Sequence, residues 1–188
     1  MTEPQRPARK AAPRKMTQRR LENIARFYIE RFATTSAHLR RVLARRAERA
    51  RRIHGGETAE MNSWIEDVVA RLVRLGLVND ARYAADRAAS LRRLGRGPGR
   101  IRTLLAAKGV PRPLIEQVLK EMAENDEGED ASLDAAVAYA KRRRFGAYGK
   151  PPTDKEERAK KQKKELAALG RAGFAYAIAR RALLGDAE

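Results

Sequence analysis

The chain has 188 residues, is 43% apolar with only 5% aromatic residues, and carries a net charge of +18 at neutral pH. It contains no cysteine, which excludes disulfides, thiolate metal sites and cysteine nucleophiles, and no apolar stretch approaches the roughly 18 residues needed to cross a bilayer. A sequence pI near 11.0 points to polyanionic partners, with association that weakens as salt rises.

Ala, Arg and Leu dominate and obvious strand runs are missing, so helices are expected throughout. Residues 1–15 lack periodicity and carry Pro4, Pro7 and Pro13, which reads as a disordered basic arm. The arm has no apolar stretch of the kind a secretory signal needs, and a cytoplasmic protein is expected. Leu21, Ile24, Ala25, Tyr28 and Phe32 then recur at spacings of three and four, predicting a first helix. Ser36 is the expected N-cap of a second, with Leu39, Val42, Leu43, Ala47 and Ala50 turned inward and Gly55-Gly56 as its stop. A third carries Met61, Trp64, Ile65, Val68, Leu72 and Leu75, and its single Trp reads as a core anchor.

Gly76 suits a left-handed position just past that helix, with Leu77 packing back on Leu72. Asn79-Asp80 opens the next helix, which presents Tyr83, Ala84, Ala88, Leu91 and Leu94. The run Gly95–Gly99 cannot continue it, but Pro98 fits the first turn of another, holding Ile101, Leu104 and Leu105 before Gly109. Pro113 opens a helix with Ile115, Val118, Leu119 and Met122, and an acidic linker is expected at 125–130. Beyond it, Ala136, Val137 and Ala140 mark a helix, 146–153 a Gly/Pro-rich break, and Asp154 the start of a highly charged helix ending at Gly173. Phe174, Ile178, Ala182 and Leu183 belong to a short final one.

Self-similarity runs through this pattern. Leu39-Arg40-Arg41-Val42-Leu43-Ala44 aligns with Ile101-Arg102-Thr103-Leu104-Leu105-Ala106, and Ile65-Glu66-Asp67-Val68-Val69 aligns with Ile115-Glu116-Gln117-Val118-Leu119. Gly173-Phe174 with Leu169 mirrors Gly109-Val110 with Leu105. The expected architecture is all-α: three tandem three-helix units over 17–76, 80–124 and 131–184, stacked into an elongated, curved array because units this small need their neighbours.

No catalytic constellation is evident. His38 and His54 have no metal-ligand spacing, and Gly97-Pro98-Gly99 lacks both the lysine and the preceding strand of a phosphate loop. The protein therefore reads as a binding protein without catalytic activity or cofactor, and as a monomer, since no coiled-coil seam is visible. The binding candidates are cations. Arg92, Arg93, Arg96, Arg100 and Arg102, with Lys108 beyond, flank a turn whose backbone donors would also meet phosphate. Arg40, Arg41 and Arg45 lead a second cluster, and Lys141–Arg144 with Lys160, Lys161, Lys163 and Lys164 form a third. Any one of them alone reads first as a solvated surface charge.

Two stretches, Leu75–Ala84 and Arg92–Val110, resemble the central signature of the RecX family in their order of leucine, acid, aromatic, basic cluster, Gly-Pro, Ile-Arg and Lys-Gly. Asn79 departs from the acid common there and Gly99 from a bulkier residue, and the likeness fades in the last unit. The resemblance implies three tandem three-helix repeats. It also implies a cytoplasmic modulator that binds the RecA recombinase and its filament on single-stranded DNA, inhibiting recombinase, ATPase and coprotease activities. Under that resemblance the cation clusters become candidate contacts to RecA or to DNA. A general nucleic-acid-binding protein that grips phosphates through its Arg/Lys clusters is the alternative.

Overall fold

A computed structural model describes residues 14–124 and 129–185. Every regular element among them is helical: α1 Gln18–Ile29, α2 Ser36–His54, α3 Thr58–Arg74, α4 Asp80–Arg93, α5 Pro98–Ala107, α6 Arg112–Glu124, α7 Glu129–Arg143, a 3-10 turn Gly146–Tyr148, α8 Lys155–Arg171 and α9 Tyr176–Leu184. The expected basic arm lies, for residues 1–13, outside the described residues, as do residues 125–128 of the expected acidic linker. Glu129 and Asp130, the rest of that linker, are already helical.

Local chemistry sets the helix starts. Thr35 caps α2, its hydroxyl accepting from the His38 amide at 3.0 Å, so Ser36 is the first helical residue and not the cap. Asn79 and Asp154 cap α4 and α8 by accepting from the amides of Arg82 (2.9 Å) and Glu157 (2.7 Å). Pro98 opens α5, where a missing N–H costs nothing.

The helix stops repeat one motif, in which a left-handed residue reverses the chain and the following amide reaches back to a carbonyl five residues earlier. Leu77 N–H donates to Leu72 at 3.0 Å, Arg96 to Leu91 at 3.1 Å, Val110 to Leu105 at 3.2 Å, Phe145 to Ala140 at 2.9 Å and Phe174 to Leu169 at 3.2 Å. Glycine supplies the left-handed residue at 76, 95, 109 and 173, whereas Arg144 takes that conformation with a side chain. The side-chain half of the Gly76 stop differs from expectation. Leu77 and Leu75 are exposed and Val78 is buried, because the turn aims the next residue, not Leu77, at the core. Phe32 and Leu94 likewise lie outside, one past the end of α1 and the other at the C-cap of α4.

The chain divides into two compact units, parting between Val78 and Asn79. The first is built on α1–α3 around Leu21, Leu39, Leu43, Ile65, Val69 and Leu72, with Trp64 packed against them. The second holds two clusters: α4–α6 around Ala84, Ala88, Ile101, Leu105 and Ile115, and α7–α9 around Ala136, Ala140, Leu169, Phe174 and Ile178. Truncating any of the fully buried Leu or Ile side chains to Ala would cost about 2–5 kcal/mol.

Within the second unit the two clusters meet backbone to backbone. Gly97 N–H donates to the Ala172 carbonyl at 2.9 Å and Gly99 N–H to the Gly173 carbonyl at 3.1 Å. The C-terminal end of α8 thus lends carbonyls to the N-terminal end of α5, where orphan amides need them and the helix dipoles agree. The approach demands glycine on both sides. A methyl group on Gly97 would stand 2.5 Å from the Gly173 carbonyl carbon and oxygen, and one on Gly173 would run into the Arg100 amide nitrogen.

Candidate functional site

The α4–α5 corner gathers part of the expected basic cluster. Arg93 and Arg96 are exposed on either side of the Gly95 reversal, and Arg100 is exposed in the first turn of α5. Arg92 is half-buried and already interacts within the protein. Arg142, from α7, joins them: its guanidinium lies against Gly95, 3.4 Å from where a methyl group would sit. The sequence placed Arg142 in a separate cluster, because only the docking of α7 against this corner brings them together. The backbone half of the expected phosphate site is absent, since the Gly97 and Gly99 amides are spent on Ala172 and Gly173. What the corner offers an anion is side-chain charge.

Two of the expected binding cations are paired across neighbouring helices near the surface. Arg102 on α5 grips Glu116 on α6 through two parallel bonds, Nε to Oε1 and Nη2 to Oε2, each 2.8 Å. Arg40 on α2 reaches both carboxylate oxygens of Glu66 on α3 from Nε at 3.0 and 2.8 Å, and also donates to Ser36 Oγ at 3.3 Å. The hydrogen bond from Arg102 holds the Glu116 carboxyl below the ordinary value, and the same bond raises the guanidinium. These are the positions that the internal alignment pairs, Arg40 with Arg102 and Glu66 with Glu116. A repeated Arg–Glu combination on neighbouring helices was the available signal that both arginines are engaged.

The remaining candidates divide the same way. Arg41 is exposed on α2 but has an interaction of its own, as has Lys108, half-buried at the C-cap of α5. Arg45 is exposed. Further along α2, Glu48 accepts from Arg51 and Arg52, which lowers its carboxyl to about 2.

The third basic cluster lies over aromatic rings. Lys141 stands 5.3 Å above Tyr148, and Arg142 and Arg143 each 5.6 Å from the Tyr139 ring. On α8, Lys160 pairs with Glu156 at 2.6 Å and Lys161 donates to the Lys150 carbonyl, leaving Lys163 and Lys164 exposed. Glu165 takes the alignment position held by buried Ile101 and is itself buried, accepting the Gly146 N–H at 3.0 Å. The middle helix of this cluster is poor in aliphatics, and the carboxylate fastens the 3-10 turn over the place an aliphatic would fill. His38 bonds Tyr28 at 3.2 Å, and no group of three or more metal-ligating side chains comes together among the described residues.

These features define a class: a strongly basic, all-helical protein of three-helix clusters, with some of its cations paired across helices. Residues 79–119 match the second three-helix domain of RecX. The regulatory protein RecX of Myxococcus xanthus (strain DK1622) is 43% identical over 171 residues, covering 91% of this chain and 88% of that one. The chain belongs to the RecX family. In fold it is similar to the crystal structure of RecX from Lactobacillus salivarius, with a TM-score of 0.61 at 20% identity over 88% of this chain and 94% of that one. A further crystal structure of regulatory protein RecX gives 0.61 at 19% identity over 87% and 70% of the two chains.

Proposed function

We propose that this protein regulates DNA repair and recombination by binding RecA and its filament on single-stranded DNA, inhibiting recombinase, ATPase and coprotease activities. The reading rests on membership of the RecX family across nine-tenths of the chain. It gives the three-helix units 17–76, 80–124 and 131–184 a shared task, performed by a monomer in the cytoplasm without catalysis of its own. The exposed cations Arg93, Arg96 and Arg100 suit a nucleoprotein polymer that carries a dense row of phosphates.

The test is single-strand-dependent ATP hydrolysis by RecA. Substoichiometric protein is expected to slow it, and replacing Arg93, Arg96 and Arg100 together with Ser is expected to weaken that effect without loss of helicity by circular dichroism. An unchanged hydrolysis rate at equimolar protein and low salt would refute the reading. Competition between naked and RecA-coated single strands separates it from general nucleic-acid binding, which would show no preference for the coated strand.

A further inference from the structure

The third cluster carries an open groove between α8 and α9. Setting Gly109 against Gly173 aligns Arg102 with Leu166, Arg112 with Tyr176 and Glu116 with Arg180. The burial pattern follows this alignment: Leu105 and Leu169, Val110 and Phe174, and Ile115 and Ala179 are buried pairs. In α5–α6 the Arg102–Glu116 fork spans the two helices. In α8–α9 the arginine of the fork has become leucine and the glutamate arginine, so no such fork can form. Between these helices lies a groove of about 720 Å³, lined among others by Lys163, Leu166, Ala167, Tyr176 and Arg180.

Its chemistry is one-sided. Tyr176 is 69% exposed, far more than a ring needs to bury its apolar faces in a core. Lys163 and Arg180 are exposed beside it and no carboxylate lines the groove. The acids of α8 are committed elsewhere: Glu156 to Lys160, Glu157 to Thr153, and Glu165 inward to Gly146. Ala175 gives α9 no side-chain cap, so first-turn amides add to the positive character beside Tyr176. A wet aromatic face lining one groove with two exposed cations and an apolar floor is the arrangement that stacks an unpaired base and holds the adjoining phosphates.

We infer that the α8–α9 groove is a subsite for single-stranded nucleic acid, with Tyr176 stacking on a base and Lys163 and Arg180 contacting the adjoining phosphates. A duplex keeps its bases stacked on one another, so the subsite discriminates in favour of single strands. This goes beyond the reading as a RecA regulator and does not depend on it, because the ligand is naked DNA.

The experiment measures fluorescence anisotropy of a labelled oligothymidylate with the full chain, over a range of salt, against a duplex of equal length. Tyr176→Ala is expected to weaken single-strand binding roughly 5- to 100-fold while keeping the wild-type salt slope, since stacking releases no counterion. Tyr176→Phe keeps the ring and is expected to bind as wild type. Lys163→Gln with Arg180→Gln is expected to flatten the salt slope by about 0.7 for each contact removed. Circular dichroism confirms folding, which an exposed side chain should not disturb. Wild-type affinity in Tyr176→Ala, or equal losses on single strand and duplex, would overturn the inference. So would variants that bind DNA normally yet fail only against RecA, which would make the groove a protein contact. A wild-type protein that binds the oligothymidylate but leaves RecA untouched would sink the proposed function and spare this one.

Discussion

The α5–α6 and α8–α9 pairs share a helix stop, a buried leucine ahead of it and a buried hydrophobic behind it, yet they present opposite surfaces. One is bridged by Arg102–Glu116; the other is open, with Leu166 and Arg180 at the matching places. The contrast shows that packing and surface chemistry vary independently in such a fold. Leucine, glycine and alanine at the inner positions fix how the helices lie, and the outer positions are free to become a clamp or a ligand groove. It also shows that a count of arginines is not a count of unpaired cations, since Arg40 and Arg102, both candidates in sequence, are paired across helices.

The stops at Gly76 and Gly173 differ in what their glycines do besides turning the chain. Gly76 has a φ of +69° and open space around it, so Gly76→Ala meets only left-handed backbone strain, about 1–2 kcal/mol. Gly173 has a φ of +96° and faces Gly97 and Arg100 across the cluster boundary. Gly173→Ala adds a backbone clash and the loss of one or both bonds from the Gly97 and Gly99 amides, for a total on the order of 3 kcal/mol or more. Thermal melting of the two variants is the check. Equal losses would mean that the α5–α8 contact contributes nothing, and the asymmetry argued for this unit would go with it.

Much of the helical layout was legible because helix ends are local chemistry. Asn79, Pro98 and Asp154 open helices, and Gly76, Gly109 and Gly173 close them, through bonds reaching only a few residues along the chain. The inward faces followed from periodicity, with Leu39, Leu43, Ile101 and Leu105 all fully buried. What could not be read was anything decided across the fold. That Gly97 and Gly173 touch depends on where α8 is delivered by α7 and the 3-10 turn. That Arg142 lies against Gly95 depends on the same docking. The fate of Arg40 and Arg102 lay between these extremes: the repeat alignment held both partners of each fork, but a pattern of charges does not say which face of a helix meets its neighbour. Thr35 displaced Ser36 as a cap for a smaller reason, two adjacent hydroxyls of nearly equal propensity.

Removing the clamps tests whether charge counted in sequence equals charge available to a ligand. Arg102→Gln is expected to lower the melting temperature slightly, several-fold less than Gly173→Ala, because both partners are near the surface. It should leave the salt slope of DNA binding in place, since Glu116 already neutralises this guanidinium. Arg93→Gln is expected to do the reverse, leaving melting unchanged and flattening the slope. If Arg102→Gln flattened the slope as much as Arg93→Gln, the fork would open on binding and α5–α6 would belong to the interface after all.

Acid separates the two pairs by the smallest effect. The Glu116 carboxyl is held below its ordinary value first by the Arg102 hydrogen bond, so the folded state binds this proton less readily than the unfolded chain. The contribution is therefore complete above the ordinary carboxylate value of 4.5 and is lost as pH falls below it. The stability gap between wild type and Glu116→Gln should accordingly narrow as pH drops from 6 toward 3, and close once the carboxyl is protonated. Glu48, lowered to about 2 by Arg51 and Arg52, should begin to lose its contribution at the same ordinary value but go on losing it down to about 2, so a Glu48→Gln gap remains after the Glu116→Gln gap has closed. No such fork is available at Leu166 and Arg180, and Arg180→Gln should show no acid-dependent gap over the same range. Melting curves of the three variants against wild type at stepped pH read this directly. A gap for Glu116→Gln that stayed constant with pH would show that the fork does not stabilise the α5–α6 pair, leaving the contrast with α8–α9 one of shape alone.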